Sequence, residues 1–177
     1  MQRRTLLKQL VFITGGVALL PSCLQNRSKA SILLKDMSID GDQEKLLAEL
    51  SETIIPVTDT PGAKDISAHL FTLMMVDDCY KKEDQQKFMA GLKDFEAKTK
   101  KDFSKSYVDL SPAEKEKLLR ELEAAKDRKD DLSYFYATTK KLTIQAYTTS
   151  KYYLTKVQVY ELVPGRYHGC VPVKKIA

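Results

Sequence analysis

The chain has few of the residues from which catalytic sites are usually built. It contains two histidines, His69 and His168, and no G-x-S-x-G, glycine-rich phosphate loop or H-E-x-x-H motif. His69 falls in a predicted helix, where a structural role is favoured, and His168 lies near Cys170 without the second cluster that a metal site needs. Asp77 and Asp78 are helix neighbours that do not face each other, and we expect them at a helix's exposed end. The sequence therefore predicts no catalytic residue, metal ligand or cofactor in this chain.

Neither sign of charge dominates the chain. It has 29 basic and 24 acidic residues, and three of the basic ones, Arg3, Arg4 and Lys8, lie in the N-terminal segment. Without that segment the balance is 26 basic against 24 acidic residues. Proteins that bind nucleic acid through its phosphates usually carry a marked basic excess. We therefore expect no nucleic-acid partner.

The N-terminus is organised as a bacterial export signal. Arg3 and Arg4 precede an apolar stretch over residues 10–20, which Leu20-Pro21-Ser22-Cys23 closes as a lipobox does. The arginine pair is typical of the twin-arginine route, with the general secretory route left open. The alternative, an uncleaved membrane helix, would need ~20 apolar residues. We expect residues 1–22 to be removed, Cys23 to be acylated, and the exported protein to lie on the periplasmic side of a membrane.

Two cysteines remain once Cys23 carries lipid. Cys79 and Cys170 form an even pair in a compartment that permits disulfides. A bridge between them would attach the C-terminal tail to the end of a helix. The alternative is two buried, reduced thiols, and both interpretations stay open.

The remaining chain is predicted to form a tether, a helical domain and an arm. Residues 23–41 are polar and irregular, and we expect them to be a flexible tether behind the lipid. Apolar residues then recur at helical spacing, which predicts an all-α, bundle-like domain of about five helices over residues 42–177. The expected helices are residues 42–55, 64–80, 83–103, 112–125 and 132–150.

The second and fourth helices have the clearest sequence patterns for a helix, whereas the arm has the pattern of an irregular segment with a short strand. The second helix has so much apolar surface, Met74 included, that we expect it to be central. Ser111 and Glu114 form a capping box at the start of the fourth. The arm, residues 151–177, is irregular, and residues 157–161 alternate as a short strand would.

Two regions without a catalytic interpretation are candidates for recognition. The loop after the first helix holds Thr58, Asp59, Pro61 and Gly62, and we expect a rigid turn at Pro61-Gly62 with Gly62 at positive φ. Tyrosines gather towards the C-terminus, at positions 147, 152, 153, 160 and 167. Tyrosines are enriched at interfaces, but a small satellite core under the arm explains them equally well.

Three stretches resemble the gluconate 2-dehydrogenase subunit 3 family. Residues 53–56 (TIIP) with 58–63 (TDTPGA) resemble its opening signature, and residues 110–114 (LSPAE) resemble its middle. The stretch from Leu142-Thr143 through residues 164–167 (PGRY) and 169–172 (GCVP) resembles the end of the family's sequence. The likeness extends over residues 46–172, nearly the whole predicted domain.

The resemblance implies a non-catalytic small subunit. In that family it pairs with a large flavin-binding sugar or alcohol dehydrogenase, where FAD is expected, and a cytochrome c subunit often takes the electrons. The small subunit's twin-arginine signal is thought to export the folded large one. We expect the partner to contact Thr58, Asp59, Pro61, Gly62, Pro164, Gly165, Arg166 and Tyr167. Two other classes stay open: a freestanding helical lipoprotein acting as a binding or scaffold module, and an enzyme such as a hydrolase.

Overall fold

A computed structural model of the chain describes residues 28–124, 129–158, 165 and 170. This part of the chain contains five α-helices, and its one β pairing is an isolated bridge between Lys29 and Asp40. The predicted all-α class is confirmed. The helices are α1 (Gly41–Ile54), α2 (Ala68–Cys79), α3 (Lys82–Phe103), α4 (Pro112–Ala124) and α5 (Asp131–Thr148), with a 3₁₀-helix at Tyr107–Asp109 and a π-helix at Tyr153–Val157.

Local capping explains where α1 and α4 begin. The Asp40 carboxylate accepts a hydrogen bond from the Gln43 N–H at 2.9 Å, and the Gln43 side chain accepts one from the Asp40 N–H at 3.3 Å. At α4 the Ser111 N–H donates to the Glu114 carboxylate at 2.7 Å, as the sequence predicts. Such boxes satisfy N–H groups that have no partner within the helix.

Helix α5 lies at the centre of the domain, packed against α1, α2 and α3. The Phe135 ring of α5 lies 5.0 Å from the Phe88 ring and 5.7 Å from the Phe95 ring, centroid to centroid. The two helices approach closely at Gly91, where an added Cβ would lie 2.0 Å from the Asp131 carbonyl oxygen. A larger residue at position 91 would therefore push α3 and α5 apart.

The second helix was expected to be central and packed on more than one side; α2 does pack against both α1 and α5, but α5 is the more central helix. Met74 of α2 is 45% exposed, whereas Thr139 and Thr143 of α5 are fully buried. Helix α2 also begins four residues later than predicted, because Ser67 adopts the left-handed conformation at φ 55°. The threonine-rich α5 has modest helix propensity. Its stability as a helix therefore depends on its packing in the centre of the domain.

Residues 28–40 pack against the domain and do not form the flexible tether that was expected; we call them the N-terminal strap. The Ser28 carbonyl accepts a hydrogen bond from the Gly41 N–H at 2.6 Å, next to the Lys29–Asp40 bridge. Met37 of the strap is 7% exposed and joins the core. The strap is thus a closed loop whose base lies at the start of α1.

Asp77 of α2 holds the strap in place. Its carboxylate accepts three backbone N–H bonds, from Lys35 at 2.6 Å, Asp36 at 3.0 Å and Met37 at 2.9 Å. Burial favours the neutral acid, but the three donors outweigh burial and lower the pKa of Asp77. Asp77 is 5% exposed, so the expectation that it marks an exposed helix end was wrong; the distant strap covers it.

Two predictions for the C-terminal part find no support in the described residues. Val157, expected to open a strand, ends the π-helix, and residues 159–161 lie outside the described residues. Cys79 and Cys170 are both exposed, free thiols. The bridge predicted between them is therefore not formed in this structure, and neither thiol is buried as the alternative required.

Candidate partner-binding surface

The segment between α1 and α2, residues 55–67, has its shape set by backbone hydrogen bonds; we call it the α1–α2 loop. The Ala63 N–H donates to the Ile55 carbonyl at 2.9 Å, which closes the base of the loop. Nearer the tip, the Thr58 N–H donates to the Thr60 carbonyl at 3.0 Å. Backbone groups paired in this way restrict the loop to one conformation.

A single carboxylate, that of Glu52 in α1, bonds to both limbs of the loop. One oxygen accepts from the Val57 N–H at 3.0 Å, and the other accepts from the Lys64 N–H at 2.9 Å. The Gly62 backbone lies between them, and a Cβ there would be 2.5 and 2.7 Å from the two Glu52 oxygens. A larger residue at position 62 would therefore force the Glu52 carboxylate, and the Val57 side chain at 2.8 Å, to shift.

The prediction that Gly62 adopts a positive φ was wrong. The predicted order of the loop agrees with its backbone hydrogen bonds. None of the described glycines has a positive φ. The left-handed residue of this loop is Ser67, which precedes α2. Sequence alone does not distinguish a glycine needed for its φ from one needed for close approach.

The root of the C-terminal arm lies beside this loop. The Tyr147 hydroxyl donates to the Thr60 hydroxyl at 3.3 Å. Its ring contacts those of Tyr152 and Tyr153, with centroids 6.5 and 6.2 Å away. Three of the five tyrosines therefore contact one another and join the loop to the end of α5. Tyr160 and Tyr167 lie outside the described residues, so both sequence interpretations stay open.

Ion pairs connect the loop to α4. The Glu49 carboxylate accepts from the ammonium groups of Lys64, in the loop, and Lys115, in α4, the latter at 3.0 Å. Burial raises the pKa of Glu49, but the two lysines outweigh it and hold that pKa below its usual value. A groove of about 490 Å³ runs beside these groups, lined in part by Pro56 and Pro112.

The predicted interface residues differ in accessibility. Thr58, Asp59 and Gly165 are exposed, Pro61 is half-buried and Gly62 is buried. Val57, which the sequence did not single out, is 55% exposed at the loop tip. The structure brings the loop residues together, but other predicted site residues lie outside the described residues: Arg3, Arg4, Cys23, Pro164, Arg166 and Tyr167.

Acidic, histidine and cysteine side chains do not converge in the described part of the chain. Over these residues there is no group of three such side chains positioned to hold a metal ion. The His69 Nδ1 atom is buried without a hydrogen-bond partner there, and burial lowers the pKa of its imidazole. No helix among the described residues is long and apolar enough to span a bilayer.

Comparison with known protein families identifies the family of this chain. The family model described as gluconate 2-dehydrogenase subunit 3 matches residues 41–165. The chain belongs to this family. The match begins at the first residue of α1 and includes the α1–α2 loop, while the strap precedes it. Neither the curated proteins nor the solved structures contained a significant match.

Membership of the gluconate 2-dehydrogenase subunit 3 family makes the chain a subunit of a dehydrogenase complex. A subunit must offer a surface to its partners, and a loop of fixed shape is suited to that. The α1–α2 loop has such a fixed shape and lies within the matched region. Asp77 and Glu52, which the sequence analysis did not assign a role, are the residues that give the two non-helical segments beside α1 their shape.

Proposed function

We propose that this protein is the non-catalytic small subunit of an exported, flavin-dependent sugar or alcohol dehydrogenase complex. Its partner is a large subunit that binds FAD and carries the reaction, and a cytochrome c subunit accepts the electrons. The family match over residues 41–165 supports a place in a dehydrogenase complex. The small subunit assists the export, assembly and membrane attachment of the large one.

The observation that carries this proposal is the ordered α1–α2 loop with an exposed apolar tip. Val57 is 55% exposed although Glu52 and backbone bonds fix the segment around it. A pre-ordered loop loses little conformational entropy on binding. Val57, Thr58 and Asp59 contact the large subunit, with the groove beside Pro56 and Pro112 extending the surface towards α4.

The N-terminal residues support the export and attachment roles. A cofactor-loaded partner must cross the membrane folded, and Arg3-Arg4 supplies the address for that route. Cys23 supplies the site of lipidation behind it. Substitution of both arginines by lysine should retain the large subunit in the cytoplasm, and Cys23→Ser should release the complex from the membrane fraction.

The interface is tested by a pull-down of the large subunit on the Val57→Glu variant. Placing a charge in a desolvated contact should weaken binding by about tenfold or more. Val108→Glu is the matched control, because Val108 is 36% exposed but lies in the 3₁₀-helix rather than the loop. Equal retention of the large subunit by both variants would show that the loop is not the interface.

The division of labour is tested on purified proteins. The small subunit alone should show no flavin absorbance and no dehydrogenase activity, and the reconstituted complex should show both. Turnover by the isolated chain would refute a non-catalytic role. Failure to co-purify with any flavoprotein from its own cells would favour the freestanding lipoprotein.

A further inference from the structure

The N-terminal strap exposes one apolar side chain almost completely. Leu33 is 99% exposed, and the next most exposed large apolar side chain in the described residues is Val57, at 55%. A single exposed leucine is ordinary on a protein surface. Leu33 differs from such a residue because it lies only ten residues after Cys23, the proposed site of lipid attachment.

The exposure of Leu33 follows from an ordered backbone. Before it, the Ser31 N–H and hydroxyl both donate to the Glu44 carboxylate, at 2.6 and 2.5 Å. After it, the Lys35 N–H donates to Asp77. The neighbours Ile32 and Leu34 pack against the core. Leu33 therefore projects into solvent between two neighbours that are packed inward and between two hydrogen-bonded points of the backbone.

The strap also begins close to the proposed lipid. Ser28 is the fifth residue after Cys23, and a fully extended chain of five steps spans at most ~18 Å. Ser28 is bonded to the first residue of α1. Acylation of Cys23 would therefore hold the base of the strap within ~18 Å of the membrane surface, instead of leaving the domain on a long tether.

We infer that the strap is the membrane-facing surface of the protein and that Leu33 enters the bilayer interface. This inference rests on the proposed lipid attachment through Cys23. The exposed lysines Lys29 and Lys35 flank Leu33. The Lys35 ammonium is paired with Asp78, so Lys29 is the one placed at the level of the lipid phosphates while the leucine enters the acyl region. The α1–α2 loop lies at the other end of α1, a helix of 14 residues, and stays free for the partner subunit.

The chain contains no tryptophan, so a single introduced tryptophan reports its own surroundings. The full chain is expressed as Leu33→Trp or as Val57→Trp, the control at the far end of α1. Each protein is purified from membranes and reconstituted into phosphatidylcholine vesicles with brominated acyl chains. Both substituted positions are exposed, so neither change should disturb folding, which circular dichroism checks.

A second, parallel experiment tests the membrane contact of Leu33 independently of whether the cell acylates Cys23. The chain from Cys23 onward, with Cys79→Ser and Cys170→Ser, is coupled through Cys23 to a maleimide-bearing lipid in the same vesicles. Membrane attachment is then guaranteed by the coupling. A failure of the proposed lipidation appears only in the cell-derived arm, as an absence of acylated protein.

In the coupled arm, the fluorescence of Leu33→Trp should shift to the blue and lose most of its intensity in brominated vesicles. That of Val57→Trp should match its emission in solution. This pattern supports the membrane-facing strap. If Leu33→Trp is quenched no more than Val57→Trp, the inference is overturned.

Discussion

The strap and the α1–α2 loop are the two non-helical segments beside α1, and a helix carboxylate holds each of them differently. Asp77 is 5% exposed and bonds to three consecutive N–H groups. Glu52 is half-exposed and bonds to two N–H groups seven residues apart, at Val57 and Lys64. Hydrogen bonds in a buried, low-dielectric site are stronger, and broken ones cost more. The strap should therefore depend on its carboxylate far more than the loop does.

The difference has a structural cause in the rest of each segment. Besides its base, the strap is held mainly through Asp77 and through Glu44, which accepts from Ser31. The loop has its own backbone bonds, such as Ala63 N–H to Ile55 carbonyl, and a close approach at Gly62. The backbone N–H groups of residues 35–37 thus depend on one carboxylate, whereas the loop distributes its hydrogen bonds over several acceptors.

Asp77→Ala should give the largest effect in either region. It leaves the three N–H groups without an acceptor, one of them the buried N–H of Met37. We expect a loss of about 3 kcal/mol in the free energy of unfolding, measured in urea. Asp78→Ala is the control, since its carboxylate is 48% exposed and pairs with Lys35; it should cost less than about 0.5 kcal/mol. Equal losses would refute the role of Asp77.

Gly62→Ala should have a smaller but clear effect in the loop. The new Cβ would displace the Glu52 carboxylate from the N–H groups of Val57 and Lys64. The expected cost is about 1–2 kcal/mol in urea unfolding, with weaker capture of the large subunit. Gly165→Ala is the control for stability, because its Cβ would meet nothing within 4 Å; it is not a control for capture, since Gly165 is itself a predicted contact. If both glycine variants keep wild-type stability, close packing at Gly62 is not what shapes the loop.

Asp77 should be visible in the pH dependence of stability, as a change in the slope of its acid side. The folded-state pKa of Asp77 is lowered, so its contribution is complete above the unfolded pKa of about 3.9. It is lost as the pH falls through the lower folded value. Asp77→Asn should therefore lose stability less steeply than the wild type below about pH 4, measured by urea unfolding at each pH.

The control for that pH series is Cys79→Ser, which leaves Asp77 and every other carboxylate intact. It should retain the wild-type steepness below about pH 4, because the strap still depends on an ionised Asp77. Parallel acid limbs for Asp77→Asn and the wild type would contradict the assignment.

Cys79→Ser should give the smallest effect, although Cys79 lies two residues from Asp77. Its thiol is free and exposed, so the unfolding free energy should stay within about 0.5 kcal/mol of the wild type. If a bridge to Cys170 held this end of α2, the loss would instead be about 4 kcal/mol under the loop-entropy model. Non-reducing electrophoresis of the exported protein provides a second measurement.

The predictable part of the fold consisted of features that depend on near neighbours in the chain. The Ser111 and Glu114 capping box needs only residues three apart, and the stripe of Leu118, Leu119 and Leu122 is one helix face, buried as its spacing predicts. The α1–α2 loop was identified as an ordered segment from its prolines and glycine. Each of these follows from local geometry, which the order of residues specifies.

The errors fell where the partner of a residue is far away in sequence. Met74 looked like a core residue because its neighbours are apolar, but α5 rather than α2 occupies the centre. Gly91 gave no sequence signal, since the backbone that it approaches belongs to Asp131. The strap was expected to be flexible, although Ile32, Leu34 and Met37 within it are apolar, because nothing in its own sequence reveals the carboxylate that binds it.

By itself, then, the sequence determined the helical class, the positions of most helices and the family, because hydrogen bonds and apolar periodicity within a helix are local and family motifs are linear. Only the tertiary structure decided which helix is central and how the two segments beside α1 are held. Asp77 and the N–H groups that it accepts lie about forty residues apart. Its role exists only because folding brings α2 against the strap and excludes water from that carboxylate.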